Sequence, residues 1–122
     1  MPFSVAYYRE RFGFDASHET TDFSVLVRDD AVIHLWSATD ETWRSRRDLS
    51  EQPVRSGAES FLAGTASCRI EVADVHALYD ELKAQGVLHP VSRDGVDETD
   101  FGTHEFATLD RDGNLLSFFR WF

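Results

Sequence analysis

The stretch that decides the fold is residues 104–119, which read HEFATLDRDGNLLSFF. Two apolar runs flank Asp112-Gly113-Asn114, a sequence that favours a tight turn because Gly and Asn tolerate the positive φ that such turns need. We therefore expect two antiparallel strands joined as a hairpin.

A weaker copy of this hairpin lies at residues 23–36, which read FSVLVRDDAVIHLW. If Gly113 is treated as a one-residue insertion, His34 aligns with Ser117 and Trp36 aligns with Phe119. The alignment predicts that the chain is an internal duplication.

A short helix is predicted before each hairpin. The first helical stretch is residues 4–14; it follows Pro2, and Gly13 is the expected end of the helix. The second stretch is residues 74–87, with Asp74 as the N-terminal cap and Gly86 as the expected end. Each helix is followed by a polar stretch and then by a hairpin, and an extra strand over residues 67–72 precedes the second helix. The strand, the helix and the hairpin account for βαββ; we predict the complete unit to be βαβββ, one strand more than the pattern singles out, which makes the fold α+β.

The first half of the chain has no room for the matching first strand. Only three residues precede its helical pattern, whereas a strand usually has about five or six. Either the first sheet is one strand short, or a partner chain fills the gap, or the recorded chain begins downstream of the natural start. An uncovered sheet edge invites aggregation, which favours pairing or coverage of that edge.

The length of 122 residues predicts a single domain with one core. We divide it into unit one (1–37), a connecting arm (38–65) and unit two (66–122). An arm this long is uncommon without a purpose, such as a binding loop or an interface.

Composition narrows the classes of partner. With 22 acidic and 12 basic residues the net charge is −10, which disfavours nucleic acid and anionic membranes and attracts cations. The other interpretation is that the charge only keeps the protein in solution. No apolar run approaches the length of a membrane helix and no signal-peptide pattern is present, so we expect a cytoplasmic protein. The lone Cys68 is expected to be a buried, inert thiol.

The tandem units carry three further motifs: AYYRERFGF at 6–14, EVADV at 71–75 and FGTHEFA at 101–107. Together they resemble the glyoxalase/bleomycin resistance/dioxygenase group, the vicinal oxygen chelate superfamily, over nearly the whole chain. The short length and the ending are most similar to the bleomycin resistance proteins. The resemblance implies two sheets curled into half-open barrels, usually completed in a homodimer.

Enzymes of this superfamily hold a divalent metal through the first and last strands of each unit. The corresponding positions here are Ser67, His34 and Ser117, and the first-strand position of unit one is missing. Serine hydroxyls are poor ligands for Zn, Fe or Ni, and a catalytic site generally needs about three protein ligands. We therefore expect no metal, no cofactor and no catalytic residue.

The resemblance to the bleomycin resistance proteins implies instead that a drug is held unchanged in a cleft at a dimer interface. Flat cationic ligands are attracted to aromatic rings by roughly 0.5–2 kcal/mol per contact. The candidate ligand-binding residues are Phe23, His34, Trp36, Phe101 and Phe119, with Trp43 as a further candidate. Phe101 matches a position at which family members often have Trp, so its stacking is weaker.

Several of these residues have a structural alternative. Phe23 and Phe119 could be ordinary core residues, and His34 could be a hydrogen-bonded core histidine. His104 and Glu105 are neighbours on one predicted strand, so they should point to opposite faces and cannot act as an acid–base pair.

The leading hypothesis is a metal-free, dimeric binding protein that sequesters an aromatic, cationic compound, as in bleomycin-type antibiotic resistance. The first alternative is a metal-dependent lyase or dioxygenase of the same superfamily. The second is a metabolite-sensing accessory domain that reports through a partner.

Overall fold

The structure is a computed structural model that describes residues 2–38 and 64–122. Its helices and strands follow one another in this order: α1 (Pro2–Phe12), β1 (Asp15–Glu19), β2 (Phe23–Arg28), β3 (Ala31–Trp36), β4 (Ser67–Glu71), α2 (Val75–Ala84), β5 (Asp97–Glu98), β6 (Thr103–Leu109) and β7 (Leu115–Trp121). A 3-10 turn, Pro90–Ser92, lies between α2 and β5.

The strands form two separate sheets. Sheet one has the order β1-β2-β3 and is antiparallel; sheet two has the order β4-β7-β6-β5, with β4 parallel to β7 and the other pairs antiparallel. Both sheets curl without closing. The predicted α+β fold with tandem units is confirmed, and in the described residues the first unit lacks the strand that corresponds to β4.

Three predicted helix boundaries are confirmed, one by a capping hydrogen bond and two by the backbone conformation of a glycine. The Asp74 carboxylate accepts a hydrogen bond from the Ala77 amide (3.0 Å) at the start of α2. Gly13 and Gly86, which follow α1 and α2, both have φ of 72°, a backbone conformation that glycine adopts without the steric cost of a side chain.

Strands β1 and β5 lie in the polar stretches that follow the helices. The sequence pattern did not single them out, because β1 is mostly exposed and contains a register shift between Ala16 and His18, and β5 has only two residues. Such strands lack the alternation that marks a half-buried strand.

The hairpin at residues 104–119 has a longer loop than an Asp-Gly tight turn. Leu109 pairs with Leu115, so residues 110–114 form the connection. The buried Asp110 carboxylate closes this loop by accepting hydrogen bonds from the amides of Asp112 (2.9 Å) and Asn114 (2.8 Å). In the earlier copy Arg28 pairs with Ala31, which leaves a two-residue turn with Asp29 at φ 51°.

One buried cluster joins the two units. Each helix contributes three residues on one face, at spacings of three and four: Val5, Tyr8 and Phe12 from α1, and Val75, Tyr79 and Leu82 from α2. These pack with the inward strand residues Leu26, Phe106, Leu116 and Phe118, and with Phe14 and Val87, which lie just after the two helices. The opposite face of each sheet therefore lies outside this buried cluster.

Each helix also contacts the hairpin of the other unit. Tyr8 of α1 donates to the Asp110 carboxylate (2.7 Å) in the loop between β6 and β7. Glu81 of α2 accepts two hydrogen bonds from Arg28 (2.6 and 2.9 Å) at the end of β2. These polar contacts hold the two units in one arrangement.

The Arg28–Glu81 pair leads to a pH prediction. The hydrogen bond from Arg28 holds the pKa of Glu81 below its ordinary 4.5, so folding favours the ionised carboxylate above that pH and loses this contribution as the pH falls. Because Glu81 is 46% exposed, Glu81→Gln should reduce the free energy of unfolding by less than about 1 kcal/mol at neutral pH.

We expect the stability difference between the wild type and Glu81→Gln to shrink as the pH falls below the ordinary Glu pKa of 4.5, because the carboxylate of the folded protein then becomes protonated. Urea denaturation at a series of pH values measures it, with Asp80→Asn on the same helix as the matched control. A stability difference that stays constant with pH would contradict the conclusion that the ionised Glu81 carboxylate stabilises the fold.

Within the described residues, neither helix has the length and apolar character that a membrane crossing requires.

Candidate functional site

Aromatic side chains cluster on the face of sheet one that points away from the helices. Phe23 on β2 pairs with Trp36 on β3, and their ring centroids are 4.5 Å apart. The Phe23 ring also lies edge-on to His34 (5.3 Å) and tilted against His18 (5.8 Å). We call His18, Phe23, His34 and Trp36 the aromatic cluster; it brings together three of the predicted ligand-binding residues.

The structural alternatives for two of these residues are wrong. His34 is exposed rather than a core histidine, because β3 has an alternating pattern in which its even-numbered residues face solvent. Phe23 is half-buried, and its ring packs on the cluster instead of the core.

The sequence pattern missed His18. Strict alternation along β1 would place it on the same face as Ala16, which pairs with the buried Leu26. The register shift at Ser17 moves His18 opposite Val25, onto the face of the aromatic cluster. A bulge of this kind leaves no clear sequence signal.

The other two predicted residues, Phe119 on β7 and Phe101 in the turn just before β6, lie beside a charged pair. Arg69 on β4 donates to the Glu105 carboxylate on β6 (2.6 Å). The Arg69 guanidinium lies 4.2 Å from the centroid of Phe119 and 5.8 Å from that of Phe101. Phe119 is 9% exposed, and it follows Phe118, which faces the core, so its ring faces the opposite side with Arg69 and Trp121.

His104 and Glu105 point in opposite directions, as the sequence predicted. Glu105 pairs with Arg69, whereas the His104 ring lies near His76 on α2 (5.7 Å) and Phe122 (4.7 Å). Trp43, the further aromatic candidate, lies outside the described residues.

The side chains at the superfamily's metal positions do not fit a metal. His34 and Ser117 occupy the last strands of the two sheets, and Ser67 begins β4. One imidazole and two hydroxyls are a poor donor set for a divalent transition metal. In the described ranges, no three His, Cys, Asp or Glu side chains come close enough together to hold an ion.

Cys68 differs from its prediction. It is exposed rather than buried, because β4 is the outer strand of sheet two. Partial desolvation, followed by the nearby Asp110 charge, raises the pKa of the Cys68 thiol. The thiol is therefore not activated, since nucleophilic cysteines need a lowered pKa.

A groove of about 580 Å³ separates the start of β3 from the end of β4 and is lined by residues 30–32 and 69–73. Each of these strands is the outer strand of its sheet, and in the described residues neither has a neighbour on the side that its own sheet leaves open. The groove is therefore flanked by two strand edges whose backbone groups can pair with a further strand.

Known proteins are similar to this chain in sequence and in fold. The model of the Glyoxalase/Bleomycin resistance protein/Dioxygenase superfamily matches residues 1–118. A bleomycin resistance protein from Geobacillus stearothermophilus is 44% identical over 117 residues, which cover 96% of this chain and 86% of that protein. A protein of the same description from Staphylococcus aureus (strain MRSA252) has the same identity and coverage.

Among solved structures, the bleomycin-binding protein of the bleomycin producer Streptomyces verticillus, complexed with copper(II)-bleomycin, has a TM-score of 0.65 and 24% identity, over 96% of this chain and 84% of that chain. The family match over nearly the whole length and the 44% identity to two relatives agree with the tandem units described above. The chain belongs to the Glyoxalase/Bleomycin resistance protein/Dioxygenase superfamily.

Proposed function

We propose that this protein binds bleomycin-type antibiotics and sequesters them without chemical change. The observation that carries the proposal is the aromatic cluster of sheet one, in which Phe23 and Trp36 lie 4.5 Å apart on the face turned away from the core. Flat heteroaromatic groups stack on such rings. The 44% identity to bleomycin resistance proteins supports the same ligand.

The charge of the protein favours a cationic ligand. A net charge of −10 raises the local concentration of cations around the protein and speeds their encounter with it. The poor donor set at His34, Ser67 and Ser117 favours binding over metal-dependent lyase or dioxygenase chemistry.

The ligand cleft is proposed to form between two copies of the chain, in the cytoplasm. In the part of the chain that the structure describes, β3 and β4 each have one unpaired edge; this supports the assembly, because such edges are usually paired or covered. In this arrangement each chain acts as one domain and supplies Phe23, His34, Trp36, Phe101 and Phe119 to the cleft.

Calorimetric titration with metal-free and copper-loaded bleomycin tests the proposal. We expect a saturable isotherm with micromolar or tighter affinity and recovery of unmodified drug by mass spectrometry. Sedimentation of the same sample should give the mass of a dimer. Absence of saturable binding at micromolar protein would overturn the choice of ligand, and a monomer that binds the drug would overturn the shared cleft.

A further inference from the structure

Arg69 occupies a small polar site on sheet two that is built to hold a cation. Its guanidinium is hydrogen-bonded to the Glu105 carboxylate (2.6 Å) and lies over the Phe119 ring (4.2 Å), with Phe101 at 5.8 Å. A carboxylate beside aromatic faces is also the arrangement that recognises organic cations in ligands. The side chain of Arg69 therefore makes the contacts that a cationic ligand would make.

Two of the three receiving groups, Glu105 and Phe119, are more buried than the arginine, whereas Phe101 is 57% exposed. Glu105 is 23% exposed, and its carboxylate has a second contact from the Thr103 hydroxyl (3.4 Å); Phe119 is 9% exposed. The Arg69 side chain is 47% exposed, on β4, the outer strand of sheet two among the described residues. Since ion pairs at this level of exposure contribute little net free energy, the guanidinium can leave at small cost.

We propose that Arg69 is an internal occupant of a subsite for planar organic cations formed by Glu105, Phe119 and Phe101, and that a ligand's cationic group binds there by displacing it. The inference rests on the proposed function in taking this subsite as part of the same ligand site. Glu105 then determines the preference for a cation, and Arg69 lowers the apparent affinity by competing for Glu105.

The opposite role for Arg69 predicts the opposite result. If Arg69 recognised an anionic group of the ligand, removing it would weaken binding. If it competes with a cationic group, removing it strengthens binding. The sign of the change therefore separates the two roles.

The test uses benzamidinium as the probe, with neutral benzamide as its matched control. Titration is followed by tryptophan fluorescence, because Trp121 lies 5.8 Å from Phe119. Arg69→Ala should bind benzamidinium about two- to fivefold more tightly than the wild type, the range expected when a weak competing ion pair is removed. Benzamide should bind neither protein measurably, and Glu105→Gln in the Arg69→Ala background should abolish the gain.

Thermal denaturation establishes that each variant is folded, and Arg69→Gln is the substitute if Arg69→Ala is not. Equal or weaker binding of benzamidinium by the folded variant would overturn the proposal. So would a gain that survives Glu105→Gln.

Metal-free bleomycin separates this proposal from the proposed function. If the drug binds neither protein but benzamidinium binds Arg69→Ala tightly, the subsite stands and the ligand assignment fails. If the drug binds the wild type and benzamidinium shows no gain, the ligand assignment stands and the subsite is rejected.

Discussion

Asp110→Ala is expected to lower the free energy of unfolding by about 3 kcal/mol or more. The Asp110 carboxylate is 6% exposed and accepts four hydrogen bonds. Three come from within its own loop, from the Asp112 amide and from the amide and side chain of Asn114. The fourth comes from Tyr8 of α1 (2.7 Å), so the substitution affects the loop and the contact between the units together.

The hydrogen bond from Tyr8 makes Asp110→Ala more destabilising than the removal of an ordinary loop contact. Burial, followed by the Asp110 charge, raises the pKa of the Tyr8 phenol above its usual value, so the hydroxyl remains a donor at neutral pH. Without Asp110 this buried donor loses its acceptor, and an unsatisfied buried polar group costs about 1–3 kcal/mol.

Urea denaturation of four variants measures the effect and its origin. Tyr8→Phe alone should lower the free energy of unfolding by about 1–2 kcal/mol. The double variant, Asp110→Ala with Tyr8→Phe, should be about 1 kcal/mol less destabilised than the sum of the two single variants, because donor and acceptor are removed together. Asp112→Ala is the matched control, since this side chain in the same loop accepts from Ser4 (3.1 Å) at the surface. Strict additivity, or an equal cost for Asp112→Ala, would contradict the assigned role of Asp110.

Trp36→Ala is expected to weaken the binding of bleomycin about five- to thirtyfold, which corresponds to about 1–2 kcal/mol. The indole is 36% exposed and packs on Phe23 in the aromatic cluster. It can therefore stack on a flat ligand group with little rearrangement. Since Trp36 lies outside the buried core cluster, the substitution should leave most of the stability intact.

Calorimetric titration and thermal denaturation of the same sample check both parts of this expectation. Phe3→Ala is the matched control, because Phe3 is a 71% exposed aromatic residue on α1. Unchanged affinity in Trp36→Ala, or an equal loss in Phe3→Ala, would remove the aromatic cluster from the ligand site.

Much of the fold follows from short-range signals. Asp74 and Gly86 bound α2, and the apolar runs around residues 110–114 form the predicted hairpin. These signals work because capping and chain reversal depend on a few neighbouring residues. The strand that directly follows the helix of each unit is not marked by the sequence pattern, because β1 has a register shift and β5 has two residues.

The candidate site was predicted only in part. Phe23, His34 and Trp36 share one face because paired strands repeat every two residues, and this could be derived from the duplicated hairpin. The partnership of Arg69 with Glu105 could not, because it depends on the parallel pairing of β4 with β7, across which Arg69 reaches Glu105 on β6, 36 positions along the chain.

The sequence by itself determined the tandem units, the approximate positions of the helices and the face on which the residues of the two hairpins lie, because these depend on local propensity and on the period of two along a strand. Only the tertiary structure decided what each side chain contacts: Tyr8 with Asp110, Glu81 with Arg28, and Arg69 with Glu105. Such contacts depend on how distant elements pack, and packing is set by the whole core.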